Sequence, residues 1–199
     1  MKQYAFEILD RHIAYAGFFR LLNYRLRHQL YRGGWSRPLN RELFERGHAV
    51  AVLPYDPLRD EIILIEQFRI GAIHAENGAW LTEIVAGIIE PDESPETVAR
   101  REAIEESGCP LMDLEKICEY FVSPGGTSET IALFCGRVDS TDAGGVHGCA
   151  DEDEDIRVFT CAFSDAMDMI RDGRINSASP IMALQWLALN RDRLRKQWQ

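Results

Sequence analysis

Apolar and polar positions alternate with different periods along the chain, and the changes of period mark its elements. Phe18, Leu22, Tyr24, Leu26 and Leu30 interleave with Asn23, Arg25, Arg27 and Gln29, the rhythm of a half-buried strand. Tyr31 to Trp35 reads as a turn and Asn40 to Arg46 as a return strand, so residues 1 to about 46 predict a small β-rich unit. His48 to Tyr55 is a dense apolar run. With the turn Asp56 to Asp60 and the run Glu61 to Arg69 it predicts a hairpin of two buried strands. Further strands are predicted over Trp80 to Val85, Lys116 to Val122, Thr130 to Val138 and Ile156 to Phe163. Ser164 is placed as the cap of a helix to Arg171, and Ser179-Pro180 opens a last helix to about Lys196. In that helix Met182, Leu184, Trp186, Leu187 and Leu194 are core candidates.

Between the strands lies Gly87 to Cys109, where the pattern turns acidic. Ser94-Pro95 is a helix opening, because a serine oxygen caps free N–H groups and a proline at the first position leaves none unpaired. Gly108 closes the helix, since glycine takes the left-handed conformation common just past a helix end. At roughly 100° per residue, Glu102, Glu105 and Glu106 crowd one face. Glu96 with Arg100 and Arg101 with Glu105 are ordinary i, i+4 pairs. Glu102 and Glu106 have no basic residue three or four positions away. The residues alone leave two readings, an acidic solvated face or a site for a hard divalent cation with oxygen ligands.

Composition narrows the classes. With 199 residues, 46% of them apolar, the chain can build one medium domain, or one domain with a small appendage, and the composition disfavours disorder. The small unit cannot bury a core of its own and must lean on the main domain or a second subunit. A formal net charge of -10 disfavours nonspecific nucleic-acid binding, and an acidic protein acting on phosphates needs cations at its site. The 5 cysteines include no C-x-x-C pair and fit reduced thiols in the cytoplasm. The histidines show no zinc spacing, the first residues lack the shape of a secretory signal, and no run is long enough to span a membrane.

The loops carry the remaining candidates. Ser123-Pro124-Gly125-Gly126-Thr127-Ser128-Glu129 reads either as a plain β-turn loop or as a glycine nest exposing N–H groups to phosphate. Asp139 to Asp155 is a long polar insertion ending in the acidic run Asp151 to Asp155. Such a run is ordinarily a solvated loop, whereas the length of the insertion points to function. The missing glycine and terminal glutamate argue against an EF-hand.

The spacing of the acidic stretch adds a likeness to a known family. Gly87, Glu93, Arg101-Glu102, Ala103, Glu105-Glu106, Gly108 and Cys109 stand at the intervals of G-x5-E-x7-R-E-U-x-E-E-x-G-U, the signature of the Nudix hydrolases. Ala103 and Cys109 are small where the pattern wants a bulky aliphatic. The resemblance implies an α/β Nudix sandwich, three-layered α/β/α with a mixed sheet, over residues 47 to 199, preceded by a small N-terminal antiparallel β unit that joins a homodimer. It implies Mg²⁺, or Mn²⁺ in its place, held by Glu102, Glu106, Glu154 and the Ala86 carbonyl, with Glu105 assisting. Aligned through Asp155 to Val158, Glu152 takes the role of catalytic base. Arg101 and Glu93 fix the geometry of the loop and helix.

Within the family, Gln67-x-Arg69 resembles the nucleotide-sugar branch, in which the arginine meets substrate, and Ser123-Pro124-Gly125 resembles the ADP-ribose pyrophosphatases. The expected activity is therefore hydrolysis of ADP-ribose to AMP and ribose 5-phosphate. The expected substrate contacts are Arg69, Glu83, Ser123, Gly125 and Glu129, with Phe18 and Arg41 supplied in trans. The rival readings are a pyrophosphatase for GDP-mannose or another nucleotide sugar, and a nonenzymatic ADP-ribose sensor on the same scaffold.

Overall fold

A computed structural model describes residues 4–149 and 153–198. The chain divides into two compact units, one formed by the residues up to His48 with Phe121–Thr130, the other by Ala49–Tyr120 with the residues from Ile131 onward.

The smaller unit is a three-stranded antiparallel sheet of β1 (Phe6–Ala16), β2 (Arg20–His28) and β3 (Leu39–Glu45) in chain order. Leu22, Tyr24 and Leu26 share a face, as their alternation predicts, and pair across to Leu43, Arg41 and Leu39. Their partners on the other side are Ile13, Arg11 and Ile8. Strand β1 escapes the periodicity argument for a physical reason. Register shifts at Ile8/Asp10 and Ile13/Tyr15 break the period-two pattern, because an extra residue moves every later side chain to the opposite face. In the same unit, the Phe44 N–H donates to the Gly126 carbonyl at 2.8 Å and the Ser128 hydroxyl donates to Glu45.

The larger unit holds an eight-stranded mixed sheet. It comprises β4 (Ala49–Asp56), β5 (Glu61–Phe68), β6 (Trp80–Glu83), β7 (Val85–Ile88), β8 (Leu114–Phe121), β9 (Thr130–Arg137), β10 (Gly145–His147) and β11 (Ile156–Ala162). The main path runs β10-β11-β5-β4-β9-β8; β6 pairs with β5 and β7 with β4. Strands β4 and β9 are parallel. The helices are α1 (Pro95–Ser107), α2 (Phe163–Arg171) and α3 (Ala178–Gln197).

Two cores follow from strand alternation. Ala51, Leu53, Tyr55, Ile62, Leu64, Leu133 and Cys135 bury against Ala166 and Met169 of α2 and Ala183, Leu184, Leu187 and Leu194 of α3. Their neighbours Val50, Val52, Ile63, Ile65, Ala132 and Phe134 bury on the other face against Val98, Ala99 and Ala103 of α1. The sheet is thus covered on both sides, a three-layer α/β/α sandwich, and its central strands read as continuous apolar runs because both faces are dry. Each fully buried Leu or Ile contributes roughly 1.5–3 kcal/mol, far more than helix propensity supplies to α3.

Two boundaries differ from the sequence reading. Helix α2 starts at Phe163 with Ala162 in the cap position, so Ser164 lies inside the first turn; its hydroxyl donates to Asp165. Helix α3 starts at Ala178, and Ser179-Pro180 occupies its first turn. The insertion 139–155 also contains a strand, β10, which is too short to show a period.

Candidate active site

Helix α1 forms for the local reasons its sequence gives. Ser94 Oγ accepts from the Thr97 N–H at 3.2 Å, Pro95 stands at the first position, and Gly108 closes the helix at φ 69°. What the local sequence does not give is the distance of the helix from β7. A Cβ on Gly87 would lie 1.9 Å from Glu102 Oε1 and 2.4 Å from its Cγ, so the carboxylate rests on bare backbone. The small Ala99 and Ala103, both fully buried, allow this approach.

Glu106 is carried inward by the same helix and is only 3% exposed. Its Oε2 accepts from the Ala86 N–H at 2.9 Å. That bond also orients the Ala86 carbonyl. Ala86 stands opposite Ala51 in the antiparallel β4–β7 ladder, and its N–H points away from β4. The N–H and C=O of one strand residue face the same edge, so the carbonyl is directed away from β4 as well.

The electrostatics of the pair are those of anions short of a cation. Burial pushes the Glu106 carboxyl up to about 8, the Ala86 N–H and the Arg69 charge oppose the rise, and Glu102 and Glu154 add to it. Burial likewise pushes Glu102 up to about 7; Arg101 opposes, and Glu105 and Glu154 add. A divalent cation with oxygen ligands is the group that would restore both to their charged form. The donors present therefore fit a hard metal, two carboxylates and a carbonyl at the edge of β7. Among the described residues, no group of three or more His, Cys, Asp or Glu side chains is placed to hold a metal ion, so the carbonyl is needed to complete the donor set. Glu154 is exposed, and its Oε2 accepts from the Cys149 N–H at 3.3 Å.

Arg101 ties the acidic face together. Its Nη1 lies 2.9 Å from Glu102 and 2.8 Å from Glu105, and its Nη2 3.6 Å from Glu93. Glu102 thus has a basic partner after all, its chain neighbour, which helical i, i+4 geometry does not provide. Glu93 Oε2 also accepts from the Glu90 N–H, which closes the loop before the helix. The Glu96–Arg100 pair expected from spacing gives way to a bond from Arg100 to the Leu111 carbonyl at 2.7 Å.

Arg69 follows β5 and pairs with Glu83 at the end of β6, Nε to Oε2 at 2.7 Å. Gln67 shares the α1 face of β5 with Ile63 and Ile65, and its amide nitrogen is buried without a partner among the described residues. Glu152 lies outside the described residues. Phe18, Arg41, Ser123, Gly125 and Glu129 belong to the smaller unit. There Phe18 is 89% exposed, and the exposed Arg41 donates to the Asn40 carbonyl. The Ser123 carbonyl closes a turn onto the Gly126 and Thr127 N–H groups, a Cβ on Gly125 would meet open space, and the Glu129 carboxylate is buried beside Arg46.

Comparison with known proteins decides the family. The NUDIX domain model matches residues 45–184. The chain belongs to the Nudix family. Its Nudix relatives include the ADP-ribose pyrophosphatase of Escherichia coli (strain K12), 48% identical over 96% of this chain and 92% of that protein. The ADP-ribose pyrophosphatase of Haemophilus influenzae is 42% identical over 96% of this chain and 90% of its own. The GDP-mannose pyrophosphatase of Cronobacter sakazakii is 38% identical over 75% of this chain and 78% of its own. Among solved structures, one described as an ADP compounds hydrolase superposes with a TM-score of 0.71, covering 96% of this chain and 95% of that one at 23% identity. That likeness establishes the fold and no more.

Glu102, Glu106 and Arg101 were legible from spacing. The contact of Gly87 with Glu102 and the turn of Ala86 toward Glu106 leave no mark in the local sequence, because each joins residues separated by a whole loop and helix. His147 and Gly148, which grip the end of α1, carry no local signal; both sit in a polar insertion that reads as solvated.

Proposed function

We propose that the protein hydrolyses the diphosphate of ADP-ribose to AMP and ribose 5-phosphate, using Mg²⁺ or Mn²⁺. The observation that carries the chemistry is the packing of Glu102 on Gly87 with Glu106 buried beside it, bonded to the Ala86 N–H. The substrate is supported by the relatives. The ADP-ribose pyrophosphatases of Escherichia coli and Haemophilus influenzae align over 192 and 195 residues, while the GDP-mannose pyrophosphatase aligns over 154.

Glu102, Glu106 and the Ala86 carbonyl would hold the metal, with Glu154 joining from the loop and Glu105 at the rim. When bound, the ion offsets the negative charge of the diphosphate oxygens and makes a water more acidic. Glu152 is assigned the proton taken from the attacking water. Arg101 keeps Glu102 and Glu105 in place through its fork and holds Glu93 at the loop. Arg69, oriented by Glu83, pairs with the diphosphate. Phe18, Arg41, Ser123, Gly125 and Glu129 are assigned to the nucleoside and ribose ends.

A homodimer formed through the smaller unit belongs to the same proposal. Phe6, Ile8 and Ile13 of β1 are at least half exposed, which supports a second copy as their cover. The free cysteines support a cytoplasmic setting. Among the described residues, no helix is long and apolar enough to cross a membrane.

The deciding experiment incubates the purified protein with Mg²⁺ and a panel containing ADP-ribose, GDP-mannose and other nucleoside diphosphate sugars. AMP and ribose 5-phosphate should form fastest. Glu106→Gln keeps an acceptor for the Ala86 N–H and should lower turnover by orders of magnitude with its fold retained. Preference for a guanosine sugar would overturn the substrate, and tight ADP-ribose binding without turnover would favour a sensor.

A further inference from the structure

The loop before β11 is fastened to the last turn of α1 at several points. The ring of His147 lies on the bare Cα of Gly108, where a Cβ would come within 2.7 Å of His147 Cε1 and 3.3 Å of Nδ1. Its Nε2 is 2.9 Å from the Gly144 carbonyl, and an acceptor there makes Nε2 the protonated nitrogen. The Gly148 N–H donates to the Glu105 carbonyl at 3.3 Å, one of the acceptors a helix end leaves without an intrahelical partner.

Gly148 and its neighbour Cys149 in turn grip Glu154. Gly148 has φ 108°, and a Cβ on it would lie 2.8 Å from the Glu154 carbonyl oxygen and 2.9 Å from the Glu154 Cβ. The Glu154 N–H donates to the Cys149 carbonyl at 3.2 Å, and the Cys149 N–H donates to Glu154 Oε2 at 3.3 Å. Glu154 is therefore fixed by Gly148 and Cys149, which are fixed in turn to the helix that carries Glu102 and Glu106. Its charge is felt by both of those carboxylates.

We propose that this clasp sets the loop carboxylate: His147 and Gly148 are positioning residues that hold Glu154 in register with Glu102 and Glu106. The C-terminal turn of α1, and not β11 alone, is then the reference frame for the metal site. The inference rests on the metal-dependent hydrolysis proposed above. It gives Gly108 a second duty, since the residue that ends the helix is also the seat of the His147 ring. Any side chain at Gly108 or at Gly148 displaces the clasp before it touches the carboxylates.

The test compares full-length wild type with His147→Ala, His147→Gln, Gly148→Ala, Glu154→Gln and the double variant His147→Ala/Glu154→Gln. Two readouts are taken, the rate on ADP-ribose against Mg²⁺ concentration and Mn²⁺ binding followed by the paramagnetic resonance of the free ion. Loss of His147 should raise the metal needed for half-maximal rate about tenfold, within the range of displaced supporting groups. Mn²⁺ binding should weaken in parallel, with KM for ADP-ribose unchanged at saturating metal. His147→Gln, which keeps an N–H for the Gly144 carbonyl, should recover most of the affinity. In the Glu154→Gln background, removing His147 should change little more, because both act through one group. Unchanged Mn²⁺ binding in folded His147→Ala, or additive losses in the double variant, overturn the proposal. Should His147→Ala not fold, Gly148→Ala decides by the same two readouts from the other end of the clasp. A wild type that binds Mn²⁺ but cleaves no member of the panel overturns the assigned activity, while the Mn²⁺ readout still decides the clasp.

Discussion

Gly87→Ala is the sharpest probe of how the acidic helix meets the sheet. The new methyl carbon would stand 1.9 Å from Glu102 Oε1, 2.2 Å from Cδ and 2.4 Å from Cγ, so the clash is with the whole end of the side chain. Glu102 cannot simply swing outward, because it is 13% exposed and its Oε1 is held 2.9 Å from Arg101 Nη1. Relief must come from moving the carboxylate off its bond or from moving α1 off β7. Overpacking of this kind costs about 1–3 kcal/mol, which for a chain of this size lowers Tm by roughly 2–12 °C. A displaced ligand should weaken the metal by about 10–100-fold.

The assay is thermal unfolding with and without Mg²⁺, together with initial rates across a Mg²⁺ series. Gly71→Ala serves as the control, since a Cβ there meets nothing within 4 Å. It should leave Tm and metal demand unchanged, or raise Tm slightly by restricting the unfolded chain. In a Glu102→Ala background the stability cost of Gly87→Ala should shrink, because the atoms it strikes are gone. Wild-type Tm and wild-type metal demand in Gly87→Ala would refute the close-approach argument.

Other predictions follow from single contacts. Asp56 is 2% exposed; burial alone would raise its carboxyl, but bonds from the Ser140, Arg59 and Leu58 N–H groups and the Ser140 hydroxyl hold it below 3.8. Its stabilisation is therefore complete above the unfolded value near 3.8 and is lost as pH falls through the lower folded value. Asp56→Ala should cost about 3 kcal/mol at pH 7 in urea unfolding and flatten the acid limb below pH 4. Arg101→Lys keeps the charge but cannot span Glu93, Glu102 and Glu105 together, so kcat should fall about tenfold with KM little changed in steady-state assays. Ile8→Asp with Ile13→Asp places charge on the exposed apolar edge of β1 and should give monomers by sedimentation velocity if the homodimer uses that strand.

The chemistry was legible because it is encoded over one helix. Ser94, Pro95 and Gly108 fix where α1 begins and ends, and the period of an α-helix then brings Glu102 and Glu106 onto one face whatever surrounds them. The central strands were legible too, since Val50 to Tyr55 and Ile62 to Ile65 are apolar without interruption and need two dry faces. Strand β1 was hidden by its two register shifts, and β10 by its length. The caps of the last two helices, Ala162 and Ser177, stand two residues before the serines read as caps, Ser164 and Ser179, because a cap is chosen by the entry angle of the chain as well as by its side chain.

By itself, then, the sequence determined which residues carry charge, how they are spaced along α1, and that both faces of the central sheet are buried. Only the tertiary structure decided what those charges meet. Gly87 stands more than a helix turn from any residue that explains it, and its role exists only because α1 packs on β7 closely enough for Glu102 to occupy the place of a side chain. The Ala86 N–H to Glu106 bond, the partnership of Arg69 with Glu83 and the seat of His147 on Gly108 have the same origin. Each joins residues far apart in the chain, through distances of a few ångströms that no local period records, because packing fixes them and propensity does not.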